Sequence, residues 1–364
     1  MDAYPIPLQA IKGRGTASRI AHRFARDARE AFDDGWGGEG ARDADGAAPD
    51  APATEVRMED CRSALSRNDS PDIPFEASIN PYRGCEHGCV YCFARPTHGY
   101  LGLSPGLDFE TRIVAKRNIA EVLRRELARP SYRPSHLAIG TATDCYQPIE
   151  RGLRLTRAVI EVLREARHPF GLVTKSSGVE RDIDILAAAA SEGLAAVYVT
   201  VTTLDAAVAR TLEPRAAAPH RRLRTIRTLA EAGIPVGVSV APQIPFVTED
   251  MERVLAAARE AGATSAFYTV LRLPWEVAPL FRQWLETHLP DRAARVMARV
   301  QEMRGGRDYD ADFATRMHGS GIWADLVAQR FGRACRQLGF SRERLVRDAS
   351  GFRPPAEDGQ RSLF

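Results

Sequence analysis

Three cysteines within eight residues, Cys85, Cys89 and Cys92, constrain this chain more than any other feature. Three thiols this close together cannot all pair with one another as disulfides, and they are one ligand short of a closed structural zinc site. Iron–sulfur clusters are usually held by four thiolates, so a three-cysteine loop suits a cluster in which one iron stays open to an exogenous ligand. Gly84 and Gly88 permit the tight loop that such wrapping requires.

A zinc site is the alternative that the same stretch leaves open. His87 inside the loop, or His98 just after it, would supply a fourth ligand and complete tetrahedral coordination. Half of the six cysteines of this 364-residue chain lie in the one motif, which indicates metal binding rather than a disulfide framework. Metal-binding thiols favour a reducing compartment, so we expect the cytoplasm.

The stretch Asn80–Phe93 resembles the cluster-binding loop of the radical SAM superfamily. In that superfamily a CxxxCx(aromatic)C loop holds a [4Fe-4S] cluster, and S-adenosylmethionine (SAM) chelates the fourth iron. The resemblance runs roughly from Cys61 to Phe340 and is closest to an uncharacterised bacterial family related to spore photoproduct lyase. It implies that the three loop cysteines are the cluster ligands and that Tyr91 is the aromatic residue that packs near the adenine.

From residue 75 onward, short apolar runs alternate with longer helical patterns. The predicted strands are Phe75–Pro81, His136–Thr141, Phe170–Thr174, Ala196–Thr202, Val236–Ala241 and Ser265–Leu271. The predicted helices between them are Arg117–Ala128, Thr156–Ala166, Arg181–Glu192, Arg221–Ala232 and Glu249–Ala261. This alternation predicts parallel βαβ units. Six strands are too few for a closed eight-stranded barrel, and the resemblance implies an α/β partial (β/α)6 TIM-like barrel of radical SAM type.

Four regions follow from these patterns. Residues 1–58 form an N-terminal extension. Within it, apolar residues spaced by four predict a short helix over 20–32. The polar composition of residues 33–54 predicts a flexible linker. Residues 59–274 form the barrel, residues 275–347 a C-terminal helical cap, and residues 348–364 a polar tail.

Charge and hydropathy exclude few partners. No run of about 18 apolar residues is present, so we expect no membrane-spanning helix. The first residues show no basic region followed by an apolar one, as a signal peptide would. The net charge of +3 neither requires nor excludes a nucleic-acid partner.

Polar residues follow the second and third predicted strands, where barrel enzymes place their active sites. Thr143 and Asp144 lie after the second strand, and the resemblance implies that they hold the amino group of SAM. The alternative is a turn in which Asp144 caps local backbone. Lys175 leaves the third strand and resembles a lysine of spore photoproduct lyase that binds the SAM carboxylate; an exposed surface lysine is the alternative.

The fourth strand and the loop after it supply further candidates. Thr200 and Thr202 share one face of the strand, so Thr202 is a candidate to reach the ribose or carboxylate of SAM, although threonine is also simply a good strand former. Arg215 lies in a proline-bounded loop and is a candidate to contact the SAM carboxylate or an anionic substrate. We assign Arg221 and Arg222 to a helix start or a solvated face.

Cys145 is the candidate catalytic thiol outside the loop. It follows Asp144 and would donate a hydrogen atom to a product radical; the alternative is a small buried apolar side chain. Spore photoproduct lyase uses such a cysteine at the position of Thr141, and it has a tyrosine where this chain has Phe93. Cys61 and Cys335 are interpreted as structural cysteines.

Together these residues predict a radical SAM enzyme. The resemblance implies that the reduced cluster cleaves SAM to a 5′-deoxyadenosyl radical, which abstracts hydrogen from a substrate that the sequence does not identify. The electron would come from a donor such as flavodoxin or ferredoxin. Two alternatives stay open: a lyase that repairs a DNA photoproduct, and a non-catalytic iron–sulfur module that senses redox state.

Overall fold

Parallel strands form the centre of this protein, for which the computed structural model describes residues 10–25, 52–341 and 348–355. The strands are β1 (Glu55–Glu59), β2 (Leu65–Arg67), β3 (Ala77–Ile79), β4 (Tyr82–Arg83), β5 (Arg112–Lys116), β6 (Leu137–Ile139), β7 (Phe170–Thr174), β8 (Ala195–Thr200), β9 (Val236–Gln243) and β10 (Ser265–Val270). The main sheet has the order β10-β9-β8-β7-β6-β3-β2. Its six strands from β3 to β10 are parallel, and only β2 runs antiparallel.

Helices connect these strands. They are α1 (Leu107–Thr111), α2 (Ile119–Leu127), α3 (Glu150–Leu153), α4 (Leu155–Glu165), α5 (Ile183–Ser191), α6 (Ala206–Leu212), α7 (Pro219–Glu231), α8 (Met251–Glu260), α9 (Val277–His288), α10 (Pro290–Glu302) and α11 (Ile322–Leu338). Two 3₁₀ helices cover Arg95–Leu101 and Ser177–Asp182. Among the described residues, no helix combines the length and the apolar character needed to cross a bilayer.

The predicted α/β fold with a partial (β/α)6 barrel is confirmed. Each predicted barrel strand is present, and the first is shorter than expected, because only Ala77–Ile79 of Phe75–Pro81 makes ladder bonds. Strands β1, β4 and β5 were not predicted. They form a separate small sheet in the order β1-β5-β4, and β1 falls largely within the region that we assigned to the N-terminal extension.

Two apolar clusters explain why the helices pack where they do. The larger cluster lies between the main sheet and the helices that connect its strands, with side chains such as Ile139, Leu172 and Val238 fully or almost fully buried. The second cluster joins Val90 and Tyr91 to α9 and α10. Helices α9 and α10 therefore pack directly on the cysteine loop.

Residues 10–25, here called the N-terminal segment, run over the surface of the barrel in turns and extended backbone. The helix predicted over 20–32 is not present in residues 20–25, and its remainder lies outside the described residues. Most of the linker predicted over 33–54 also lies outside them. The proposed domain boundaries stay predictions.

Candidate active site

The cysteine loop lies at the carboxyl edge of the parallel sheet. We expected it to follow the first barrel strand directly, but the short strand β4 intervenes and pairs with β5. Gly84 and Gly88 adopt left-handed φ angles of 83° and 68°, which glycine takes without strain. A Cβ at Gly84 would lie 2.9 Å from the Phe109 carbonyl oxygen, so the backbone approaches too closely for any larger residue.

The three loop cysteines are unpaired thiols. Cys85 and Cys89 are buried, whereas Cys92 is half-buried. Burial raises the pKa of Cys85 well above its usual range, and Asp144 and then Cys89 add to the rise. Burial likewise raises the pKa of Cys89 to about 12, against the opposing effect of Lys175. The thiols interact electrostatically, and metal binding would have to displace their protons.

The two histidines near the cysteine loop make hydrogen bonds of their own. Among the described residues, no three of the Cys, His, Asp and Glu side chains converge closely enough to hold a single ion. His87 binds the Asp144 carboxylate through Nδ1 at 3.2 Å, and His98 Nε2 lies 2.9 Å from the Arg112 carbonyl oxygen. Both histidines that we considered as the fourth ligand of a zinc site are thus engaged with other groups, at Nδ1 of His87 and at Nε2 of His98.

Arg95 fixes the shape of the cysteine loop through hydrogen bonds to its backbone. Its side chain is completely buried and donates to the carbonyl oxygens of Gly88 at 3.0 Å and Cys89 at 2.9 Å. It also forms a buried ion pair with Glu110 at 2.6 Å. Because these bonds hold two loop carbonyls in fixed positions, Arg95 is a positioning residue, and sequence analysis did not identify it.

The same carboxylate binds the N-terminal segment. The backbone N–H groups of Gly15 and Thr16 donate to the two oxygens of Glu110 at 2.9 and 3.0 Å. A Cβ on Gly15 would lie only 1.6 Å from the Gly88 carbonyl oxygen. The N-terminal segment therefore lies directly against the cysteine loop.

Asp144 connects the ends of two neighbouring strands. It accepts hydrogen bonds from the backbone N–H of Lys175 at 2.7 Å, the hydroxyl of Thr174 at 2.7 Å and the backbone N–H of Tyr146 at 2.9 Å. Burial would raise the pKa of Asp144, but the adjacent His87 and these donors hold it below its usual range. This is the capping arrangement that we weighed as the alternative, and the proposed contact with an amino group stays a prediction.

Thr143 binds the loop itself. Its hydroxyl donates to the Gly84 carbonyl oxygen at 2.6 Å and accepts from the Gln147 side chain at 3.1 Å. These bonds anchor the cysteine loop to the end of β6. The predicted contact of Thr143 with SAM stays a prediction.

Lys175 places a cation beside the cysteine loop. Its Nζ lies 5.8 Å from the centre of the Tyr91 ring. Burial disfavours the ammonium form, but Cys89 and Glu213 outweigh this effect and raise the pKa of Lys175. No carboxylate among the described residues lies within ion-pair distance of it. The side chain is half-buried rather than exposed, which favours a ligand-binding role over a surface lysine.

Glu213 is the principal site residue that the sequence analysis missed. One of its oxygens accepts hydrogen bonds from the hydroxyls of Tyr91 and Thr202, the latter at 2.6 Å. The other pairs with Arg222. Arg222 lies in the first turn of α7, which is the helix start that we offered as one of two assignments. The other assignment, a solvated face, does not hold, because its side chain is only 1% exposed. The available signal was an acidic residue in an otherwise basic, proline-bounded loop.

Arg215 and Cys145 lie in different surroundings. Arg215 is 30% exposed and pairs with Glu86 of the cysteine loop at 3.2 Å. Cys145 is fully buried in the main core, where its Sγ lies 3.9 Å from the Val173 carbonyl oxygen. Burial raises the pKa of the Cys145 thiol well above its usual range. Its catalytic role stays a prediction, and the structure places it in the environment of the structural alternative.

Comparison with known proteins agrees with this geometry. The family model of the radical SAM superfamily matches residues 79–261, half of the chain. An uncharacterised protein of Mycobacterium tuberculosis is 38% identical over 239 residues, which cover 65% of this chain and 70% of that protein. An uncharacterised protein of Methanocaldococcus jannaschii is 25% identical over 213 residues, which cover 58% of this chain and 76% of that protein.

Solved structures show a similar fold. Spore photoproduct lyase complexed with dinucleoside spore photoproduct has a TM-score of 0.50 and 17% identity, and the alignment covers 78% of each chain. A cysteine-to-alanine mutant of the same lyase with that ligand has a TM-score of 0.51 and 16% identity over the same coverage. At this level of identity the likeness concerns the fold alone.

Proposed function

We propose, since this chain belongs to the radical SAM superfamily, that it binds a [4Fe-4S] cluster through Cys85, Cys89 and Cys92 and presents SAM to the open iron. The observation that carries the proposal is the placement of Lys175. Its ammonium group lies beside Cys89 and Tyr91 at the carboxyl edge of the barrel. Free thiols, together with an adjacent cation that forms no ion pair within residues 10–25, 52–341 and 348–355, supply both a cluster site and a carboxylate site.

When bound, the cluster would supply the one-electron chemistry for reductive cleavage of SAM, and the 5′-deoxyadenosyl radical so produced would take a hydrogen atom from substrate. The protein contributes binding, orientation and shielding. In this proposal Lys175 would bind the SAM carboxylate, and Thr143 and Asp144 would be the candidates for its amino group. The Tyr91 ring packs near the adenine, with its hydroxyl held by Glu213.

Thr202 and Arg215 have less direct roles in this proposal. The Thr202 hydroxyl donates a hydrogen bond to the Glu213 carboxylate. Thr202 would therefore act on SAM indirectly, by holding the Glu213 carboxylate and the Tyr91 ring in place. Arg215 is paired with Glu86 and stabilises the cysteine loop from its exposed side. Direct contact of either residue with SAM stays a prediction.

Two features keep water and oxygen from the site. The apolar cluster of α9 and α10 covers one side of Val90 and Tyr91, and the N-terminal segment covers Gly88. Excluding water protects a reactive radical from side reactions. Cys92 is the least buried of the three ligands, so an electron donor such as flavodoxin or ferredoxin would approach from its side. Thiol-held clusters of this kind suit a reducing cytoplasm.

Repair of a DNA photoproduct is the second candidate function. It is favoured by the shared fold of spore photoproduct lyase, one structure of which contains dinucleoside spore photoproduct. Against it stand Thr141, at the position of the cysteine that the lyase uses, and Phe93, which lacks the hydroxyl of the lyase tyrosine. Cys145, the candidate replacement thiol, is completely buried. A non-catalytic iron–sulfur module is disfavoured by Lys175, because a purely structural cluster needs no half-buried cation beside it.

The test is anaerobic reconstitution with iron and sulfide, followed by reduction with dithionite in the presence of SAM. The proposal requires 5′-deoxyadenosine to form, with Cys89→Ala protein as the inactive control. Reconstituted protein that holds the cluster but never cleaves SAM would support the non-catalytic module. Conversion of a dinucleoside photoproduct to thymidines would identify the lyase instead of a different radical enzyme.

A further inference from the structure

Arg272 lies next to the cysteine loop although it comes from the far end of the barrel sequence. It follows β10, the last barrel strand, so its backbone stands at the same carboxyl edge as the loop. Its guanidinium carbon is 5.1 Å from the centre of the Phe93 ring. Phe93 directly follows Cys92, and its side chain is 47% exposed. The pair therefore borders the solvent side of the candidate active site.

The Arg272 guanidinium has no anionic partner at hydrogen-bond distance within the described part of the chain. Its only hydrogen bond there runs from Nη1 to the Met317 thioether at 3.4 Å, and thioether sulfur is a weak acceptor. The Nε atom is buried and has no hydrogen-bond partner among the residues that the structure describes. The nearby carboxylate of Asp72 is already bound by both Nε and Nη2 of Arg316 at 2.6 Å.

A second cation increases the local positive charge. Arg304 is 1% exposed and donates to the carbonyl oxygens of Leu271 at 2.8 Å and Thr315 at 2.9 Å. Burial, and then the neighbouring Arg272, lower the pKa of Arg304 to about 10. Two guanidinium groups thus lie close together with no carboxylate at hydrogen-bond distance among the described residues. Asp72 and Asp310 lie near enough to offset part of this charge, and an anionic ligand would compensate the remainder.

From this geometry we propose that Arg272 recognises an oxyanion of the substrate, a phosphate or a carboxylate, while Phe93 contacts the apolar group that carries it. The planar guanidinium matches either oxyanion through two parallel hydrogen bonds. This inference rests on the proposed function, since it identifies the chemical class of substrate for the same site. Arg272 is then a specificity residue, and Lys175 remains the residue for SAM.

The experiment uses anaerobically reconstituted protein saturated with SAM. Phenyl phosphate and benzoate serve as probes for the two oxyanions, and benzyl alcohol serves as a neutral probe of similar shape, with binding followed by ligand-observed NMR. We expect at least one of the two oxyanions to bind more tightly than benzyl alcohol. Arg272→Met should weaken that binding roughly ten- to a hundred-fold and leave the affinities for benzyl alcohol and SAM unchanged.

Arg259→Met is the matched control, because Arg259 also lies over a phenylalanine ring, at 5.8 Å from the centre of Phe340. Arg259 stands at the end of α8, before β10 begins and thus at its opposite end. Equal loss in the two variants, no loss in Arg272→Met, or a loss of SAM affinity in Arg272→Met would each overturn the proposal.

A third variant keeps the test decisive if Arg272→Met loses its iron. Arg272→Lys keeps the charge but not the planar fork, so we expect it to retain iron and to bind the oxyanion probe with intermediate affinity. Probe binding by Arg272→Lys at the wild-type level would contradict fork recognition. Wild-type protein that fails to bind SAM would count against the proposed function, whereas SAM binding without oxyanion preference would count against Arg272 alone.

Discussion

Glu213 and Arg222 form an ion pair whose side chains are 0% and 1% exposed. Burial alone would raise the pKa of Glu213, but Arg222 and then Lys175 hold it at about 2. Through its other oxygen, Glu213 binds Tyr91 of the cysteine loop. The same oxygen also accepts a hydrogen bond from Thr202, which follows β8. A single buried carboxylate therefore joins the loop after β8, the first turn of α7 and the cysteine loop.

Replacing Glu213 should destabilise the fold. Glu213→Gln leaves the Arg222 charge buried without a counter-ion, and breaking a buried pair in this way costs about 3–5 kcal/mol. Guanidinium titration of the metal-free protein should show this loss in the free energy of unfolding. The double variant Glu213→Met with Arg222→Met is the control, because it removes both charges and should be clearly more stable than Glu213→Gln. Equal stability of the two would contradict the prediction.

The same pair predicts a dependence on pH. The pKa of Glu213 in the folded protein lies below its ordinary value of 4.5, so its stabilising contribution is complete above that value. The contribution should disappear as the pH falls from 4.5 towards about 2, because the folded state then takes up the proton as well. The difference in unfolding free energy between wild type and Glu213→Gln should therefore narrow over this range. A constant difference would show that Glu213 is not held ionised.

The loop cysteines should be the only ones that hold iron. Anaerobically purified protein should contain about four irons per chain, and replacing Cys85, Cys89 or Cys92 by alanine should abolish this content. Cys145→Ala and Cys335→Ala are the controls and should retain it. Stoichiometric zinc in the wild-type protein with no uptake of iron would contradict the cluster assignment.

Lys175→Met should weaken SAM binding while the cluster stays intact. A charge-assisted hydrogen bond is worth about 1.5–3 kcal/mol, so we expect a roughly ten- to a hundred-fold loss of affinity, measured by calorimetry on reconstituted protein. Formation of 5′-deoxyadenosine should fall at low SAM and partly recover at high SAM. Lys175→Arg should rescue poorly, because a planar fork does not replace a compact ammonium. Wild-type affinity for SAM in Lys175→Met would show that Lys175 does not bind SAM, as the alternative of a surface lysine has it.

Gly15→Ala should expose the cysteine loop. The new Cβ would meet the Gly88 carbonyl oxygen at 1.6 Å, and backbone cannot yield as a flexible side chain can, so the N-terminal segment must move away. We expect the cluster to bleach several-fold faster in air, followed by its visible absorbance. Gly152→Ala is the control, since a Cβ there meets nothing within 4 Å. Equal bleaching rates would show that the segment does not shield the loop.

Much of the fold could be predicted from local patterns. Alternating apolar runs and helical stretches identified the six parallel strands, because each strand buries the same kind of side chain whatever its partner. Strand β1 escaped prediction because most of its residues are exposed, and β5 because it lies in the separate small sheet, outside the alternation of strands and helices that we used. Their pairing is decided by contact between distant segments.

The sequence by itself determined the cysteine loop, the parallel βαβ units and the cation after the third strand, because spacing and periodicity are local properties of the chain. Only the tertiary structure decided which polar groups are already satisfied. Asp144 accepts a hydrogen bond from the Lys175 backbone, and Thr202 donates one to Glu213. The Cys145 side chain is buried in the core. Glu213 is the centre of a buried network. A buried polar group must find a partner, and that partner can come from any part of the chain, so no local pattern reveals it.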